Sequence, residues 1–144
     1  MKISTLLSTK RPTVYTIGPG HKVTAAVEMM TKRNIGALVV TNNSGRVVGI
    51  ISERDIIRNS VLREDIFDLA VADVMTREVI VGEPADDIMS VAHTMTEKRF
   101  RHLPILDNNE LVGIISIGDV LKAQRDKFRG EIDTLETQIL ANED

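Results

Sequence analysis

The alternation of apolar and polar positions along this chain follows a plan that occurs twice. From Lys22 to Arg33 the apolar residues Val23, Ala26, Val27 and Met30 recur at helical spacing. From Asp86 to Lys98 the residues Ile88, Val91, Ala92 and Met95 do the same. Each stretch predicts an amphipathic helix with one face on a core. A short β-prone segment precedes each helix, Val14 to Ile17 and Val79 to Val81, and a Pro-containing break separates the two. Two apolar arms follow each helix. They are Ala37 to Thr41 with Val47 to Ile51, and Leu103 to Leu106 with Leu111 to Ile115. Turns rich in Asn, Asp and Gly join the arms, which predicts a hairpin in each copy. A second helix opens at Ser52 and again at Ser116. The unit is β-α-β-β-α, twice, and the fold class is α/β (α+β).

Residue identities support the repeat. Val47-Val48-Gly49-Ile50-Ile51-Ser52-Glu53-Arg54-Asp55 matches Leu111-Val112-Gly113-Ile114-Ile115-Ser116-Ile117-Gly118-Asp119. Upstream, Pro19 aligns with Pro84, Met30 with Met95 and Val39 with Pro104. One residue is dropped in the second hairpin turn, an ordinary loop deletion. An earlier match pairs Ile3, Leu6-Leu7-Ser8 with Val71, Val74-Met75-Thr76. We therefore divide the chain into a first repeat (residues 1–62, with an N-terminal segment) and a linker (63–72). A second repeat (73–122) and a C-terminal helical tail (123–144) follow. Arg63 to Leu69 is expected to be helical. In the tail, Phe128, Ile132, Leu135 and Ile139 form a stripe that is expected to pack on the body or on a partner subunit.

Composition narrows the function. The chain of 144 residues carries 18 basic against 21 acidic side chains, a net charge of −3. Binding nucleic acid by broad phosphate neutralisation calls for a basic protein. With only 3 Phe, 1 Tyr and no Trp, an aromatic platform for single-stranded bases is also excluded. The absence of Cys removes disulfides, thiolate metal sites and Cys nucleophiles. No apolar run approaches the ~20 residues that span a bilayer, and residues 1–10 do not read as a signal peptide. The expected setting is the cytoplasm.

The candidate chemistry sits at the repeat junctions. Gly-Ile-Ile-Ser-x-x-Asp, at Gly49 to Asp55 and Gly113 to Asp119, lies where a strand hands over to a helix. One reading is a capping box, with Ser at the N-cap and an acid three positions on. The other is a ligand edge. Free N–H groups at a helix start suit phosphate, and a carboxylate one turn in suits a ribose diol. The preceding glycine would let a ligand approach the backbone. A cap can also be a binding edge.

A second signal is the basic cluster Lys98-Arg99-Phe100-Arg101-His102 ahead of Leu103-Pro104. It either complements a helix C-terminus or grips phosphate oxygens through Arg101 and His102. Repeat 1 has Asn34-Ile35-Gly36-Ala37 there, without a cation, so two sites would be unequal. Arg54 and Arg58, beside the first motif, read either as phosphate contacts or as surface charges without a function. His21 and His93 read as structural or exposed, and the 6 Met as core fillers. No phosphate-loop, dinucleotide, zinc-protease or nucleophile-elbow motif occurs. Nothing points to catalysis or a catalytic cofactor.

In combination these motifs resemble a tandem pair of cystathionine-β-synthase (CBS) domains, the Bateman module. Supporting phrases are Asp73-Val74-Met75-Thr76 and Arg101-His102-Leu103-Pro104-Ile105. The resemblance covers roughly residues 1 to 122. It implies two repeats packed as a pseudo-twofold pair, with a C-terminal helix here in addition. It implies a non-catalytic regulatory module that binds AMP, ADP, ATP, NAD(H) or S-adenosylmethionine in clefts between the repeats. It also implies a homodimeric disc and an unidentified regulated protein. The family's ribose acid maps to Asp55 and Asp119, and its hydroxyl to Ser52 and Ser116. Base contacts map near Tyr15, Thr16, Ile80, Val81, Ala37, Leu103 and Pro104. Phosphate contacts map to Arg101 and His102, with Arg54 a further candidate beside the first motif. Arg54 facing Gly118 in the other copy adds to the asymmetry. The alternative is a dimerisation or interaction module whose pockets are vestigial.

Overall fold

The computed structural model describes residues 1–9 and 14–142. Helix α1 spans Ile3–Thr9, and the first repeat then runs β1 (Thr16–Ile17), α2 (Val23–Arg33), β2 (Ala37–Thr41), β3 (Val47–Ser52) and α3 (Glu53–Ser60). A 3-10 turn at Ile66–Asp68 and the short α4 (Val71–Val74) lead to α5 (Ile88–Lys98), β4 (His102–Asp107), β5 (Glu110–Ser116) and α6 (Ile117–Asn142). The helix expected over Arg63 to Leu69 is thus confined to that single 3-10 turn.

Local chemistry explains the boundaries. Helix α2 buries Val23, Ala26 and Met30, and ends at Asn34 in the left-handed region with φ 53°. Asparagine tolerates that conformation, and its N–H closes the helix on the Met30 and Thr31 carbonyls. Helix α5 buries Ile88, Val91 and Met95. The Asp87 side chain caps it, accepting from the Ser90 N–H at 3.2 Å. In the second hairpin Asn108 and Asn109 both have positive φ, as a two-residue type I′ turn requires. The longer first turn folds around Asn42, whose Oδ1 accepts from the Ser44 and Arg46 N–H groups at 3.0 Å each.

The first sheet has the order β1-β2-β3, with β1 parallel to β2 and β2 antiparallel to β3. The second consists of β4 and β5, antiparallel. The expected strand at Val79 to Val81 is absent. Only Gly82 pairs there, through a parallel bridge to Ile105 that is the counterpart of Ile17 beside Val40. The bonds made are Gly82 N–H to the Pro104 carbonyl and Leu106 N–H to the Gly82 carbonyl, both at 2.9 Å. The ladder stops there because Val39 is replaced by Pro104, which has no N–H to donate to a preceding residue of the segment.

Two hydrophobic clusters form, and their membership crosses the chain. Val71, Val74 and Met75 join the first cluster with Leu38, Val40 and Ile51. Ile3 and Leu6 join the second with Leu103, Ile105 and Ile115. Backbone bonds repeat the exchange: the Val23 N–H donates to the Leu69 carbonyl and the Ile88 N–H to the Met1 carbonyl, both at 2.9 Å. Each repeat is therefore completed by the segment that precedes the other, which builds the pseudo-twofold pair.

The glycines of the repeated motif serve this exchange. A Cβ on Gly49 would meet Met75 Sδ at 2.5 Å and the Thr76 carbonyl oxygen at 2.9 Å. One on Gly113 would meet Leu7 Cδ2 at 2.7 Å. The close approach these glycines permit is to the chain's own crossing segments, not to a ligand as expected. Met30, Met75 and Met95 are buried as expected of core fillers, but Met89 is 57% exposed.

Helix α6 continues unbroken through Gly130, where a Cβ would meet nothing within 4 Å. Val120 and Ala123 anchor its start. The stripe of Phe128, Ile132, Leu135 and Ile139 is 54–60% exposed, so it does not pack on the body. Of the two expected partners this removes the body and leaves a partner subunit, because among the described residues no side chain of α6 beyond Ala123 is buried.

Candidate functional site

Both strand-to-helix junctions close as capping boxes. At the first, Ser52 Oγ accepts from the Asp55 N–H at 3.2 Å, and Asp55 Oδ2 accepts from the Ser52 N–H at 2.9 Å. At the second, Ser116 Oγ accepts from the Asp119 N–H at 3.1 Å, and Asp119 Oδ2 from the Ser116 N–H at 2.9 Å. Each junction is tied to the other arm of its hairpin: Glu53 N–H donates to the Gly36 carbonyl and Ile117 N–H to the Arg101 carbonyl. The box holds each carboxylate in one orientation.

The first junction has more. Thr76 Oγ1 donates to Asp55 Oδ1 at 3.0 Å, across the boundary between the repeats. Backbone bonds between Ile50 and Thr76, at 3.0 and 2.8 Å, hold that segment against β3. Asp55 Oδ2 takes two donors from Ser52, its N–H and its hydroxyl. Oδ1 keeps an acceptor position beyond Thr76, because each carboxylate oxygen has two lone pairs.

That carboxylate lines a cleft of about 530 Å³. Ser52, Asp55 and Ile57 form one wall, Thr76 with Glu78, Val79 and Ile80 another, and Arg99 to His102 the third. Of the residues singled out from sequence, Ser52, Arg54, Asp55, Ile80, Arg101 and His102 meet here. Ala37, Leu103 and Pro104 are buried, so their side chains belong to the cores. Val81 lines a separate cavity of about 360 Å³ beside the second hairpin turn. Tyr15, Thr16, Ser116 and Asp119 lie outside this cleft. Tyr15 stacks under Arg33, whose guanidinium carbon is 4.8 Å from the ring centroid. Residues 10–13 lie outside the described residues.

Glu53, Thr76, Glu78, Val79, Arg99 and Phe100 also line the cleft, as do Gly36, Ile50 and Arg58. None was among the mapped site residues. Arg99 was visible in the basic cluster and Thr76 in the Asp-Val-Met-Thr phrase. Glu78 carried no signal. The cleft holds opposite charges: Glu53, Asp55 and Glu78 against Arg54, Arg58, Arg99 and Arg101. Its apolar edge is Val79, Ile80 and Phe100. A carboxylate, an apolar edge and a cationic rim together suit a polar ring substituent, a flat base and an anion.

His93 lies far from this chemistry, on α5, with Nε2 3.2 Å from Glu97. Among the described residues no group of His, Cys, Asp and Glu is placed to hold a metal ion. None of their helices is long and apolar enough to cross a membrane.

Comparison with known proteins matches the CBS domain family at residues 7–62 and 71–126. A CBS-domain protein of Agrobacterium tumefaciens superposes with TM-score 0.83 at 35% identity, covering 85% of this chain and 92% of its own. A CBS domain protein of Pyrobaculum aerophilum, solved in complex with AMP, superposes with TM-score 0.74 at 29% identity over 83% of this chain and 89% of its own. An uncharacterized protein of Thermofilum pendens is 41% identical over 110 residues, 76% of this chain but 35% of that longer protein. The helix and hairpin of each repeat and both junction motifs lie within the matched residues, and the chain belongs to the CBS-domain family as a tandem pair.

Proposed function

We propose that this pair is a regulatory module that senses an adenine nucleotide, AMP, ADP, ATP or NAD(H), in the cleft at Asp55. The observation that carries the reading is the Asp55 carboxylate. It is fixed by Ser52 and Thr76 and faces a cationic wall from the other repeat. In this reading Asp55 accepts from the ribose hydroxyls and the base lies against Val79 and Ile80. Arg101 and His102 take the phosphate. The Pyrobaculum relative's complex with AMP supports the same ligand class.

Because Thr76 and Arg101 reach the cleft from outside the first repeat, a bound nucleotide ties the two repeats together. It shifts their arrangement by as much as it favours one state over another. We read the role as regulation of a partner protein rather than catalysis. The nearest acid to the ligand is already committed to a helix cap, and no nucleophile–base pair adjoins it. The module pairs as a disc in this reading. The pseudo-equivalent Ile57 and Leu121, 66% and 58% exposed, give it an apolar face.

A thermal-shift panel on nucleotide-stripped protein tests this. A ligand at 100 times its Kd adds about 2.7 kcal/mol. At this size that is a rise of roughly 5–10 °C. A rise with adenine nucleotides but not with GTP supports the reading, and no rise with any of them overturns it.

One observation favours a second reading, an interaction module. The apolar stripe of α6 from Phe128 to Ile139 is exposed along its length. A second copy or another partner helix would cover it.

A further inference from the structure

Four arginines, Arg54, Arg58, Arg99 and Arg101, line the nucleotide cleft and also an adjoining cavity of about 640 Å³. The rest of that second cavity is Met95, Thr96, Phe100 and Ile117, with no carboxylate in its wall. Among the described residues no ion pair or side-chain hydrogen bond engages any of the four. Like charges gathered over an apolar floor repel one another, and a multivalent anion removes that repulsion. Arginine is also the side chain whose forked donors best match phosphate oxygens.

The backbone supplies an independent observation. Arg99 sits in the left-handed region, φ 58° and ψ 40°, at the end of α5. Its counterpart in the first repeat is Asn34, a residue that tolerates this conformation. An arginine held there is uncommon, and such outliers concentrate at functional sites. The other counterparts make the same point. Arg54, Arg58 and Arg101 correspond to Gly118, Lys122 and Gly36. The repeat itself does not call for this charge, since one position of four is cationic in the other copy.

We infer that the two cavities form one site for a nucleoside di- or triphosphate. The nucleoside and first phosphate occupy the cleft at Asp55. The outer phosphates lie in the adjoining cavity on Arg54, Arg58 and Arg99, with Arg101 between the two. This rests on the nucleotide reading of the cleft, and it narrows that reading to ligands with more than one phosphate.

The test is titration calorimetry on the full chain, with adenosine monophosphate, adenosine triphosphate and inorganic tripolyphosphate, without divalent cations. Wild type is expected to bind the triphosphate at least about tenfold tighter than the monophosphate. Arg99→Asn restores the residue the first repeat uses, so its backbone is not strained. It should collapse that ratio toward one, as should Arg58→Gln. Equal affinities in wild type, or a ratio unchanged by both variants, overturn the inference and leave the nucleotide reading standing. Tripolyphosphate binding without either nucleotide overturns both and marks a plain anion site. No binding by any of the three overturns both as well.

Discussion

At Ser52–Asp55 and Ser116–Asp119 the backbone does the same thing twice. The capping bonds agree within 0.1 Å, at 3.2 and 3.1 Å for one and 2.9 Å for the other in both copies. The side chains that complete the cleft differ. Asp55 accepts from Thr76 and shares its cleft with four arginines, while the positions matching those arginines in the other copy are Asn34, Gly36, Gly118 and Lys122. Capping geometry is a demand of the fold, because each helix start must satisfy its free N–H groups. Charge around the cap is not such a demand. Where two copies share the first and differ in the second, the difference is what the proposed nucleotide site would use.

The motif glycines give the sharpest way to break the likeness of the copies. Gly49→Ala puts a methyl group 2.9 Å from the Thr76 carbonyl oxygen, and that backbone is held by the bridge to Ile50. The expected loss is about 2–3 kcal/mol. Gly113→Ala meets only the flexible end of the Leu7 side chain, so the expected loss is about 1 kcal/mol. Urea unfolding of both variants checks this. Equal losses would mean that the two crossing segments are held equally firmly.

The capping acids come next. Asp55→Ala and Asp119→Ala each remove a capping-box partner, and each should cost about 1 kcal/mol of stability. Nucleotide affinity should separate them. Asp55→Ala loses the carboxylate that lines the charged cleft, so it should weaken adenosine triphosphate binding far more than Asp119→Ala. Calorimetry on both variants decides it. A larger loss with Asp119→Ala would move the principal site to the other junction.

How legible all this was in the sequence depends on whether a feature is local. Ala37 to Val40 is apolar and Val39 to Thr41 is β-branched, and β2 has the bounds Ala37–Thr41. The helix stripes of Val23 to Met30 and Ile88 to Met95 are equally local, as is the Ser-x-x-Asp cap. Val79 to Val81 carries the same β-prone signal as Val14 to Ile17, yet it forms no strand. Pairing there turns on the neighbouring strand, where Pro104 has no N–H to offer and Val39 has one. The match of Ile3 and Leu6 to Val71 and Val74 was readable as similarity. That each pair enters the other repeat's core was not, because spacing carries no information about which of two equivalent surfaces a segment reaches. The cleft divides the same way. Ser52, Asp55, Thr76, Arg101 and His102 stand in motifs, whereas Glu78 enters it from the start of the second repeat with no motif around it.

The last difference between the copies is helix length. Helix α3 stops at Ser60, while its counterpart α6 runs on to Asn142. Val120 and Ala123 anchor the shared part, and everything apolar from Phe128 to Leu140 is more than half exposed. Removing residues 124–144 takes away no buried side chain among the described residues. Monomer stability should therefore change by about 0.5 kcal/mol or less. Nucleotide affinity should not change, since no described residue of that segment lines the cleft. Assembly is the property left for it to affect. A helix that keeps Phe128, Ile132, Leu135 and Ile139 in water gains by pairing them. Light scattering on the truncated chain should then give a smaller particle than the full chain does. An unchanged mass would place the contact between copies elsewhere, with Ile57 and Leu121 as the next apolar face.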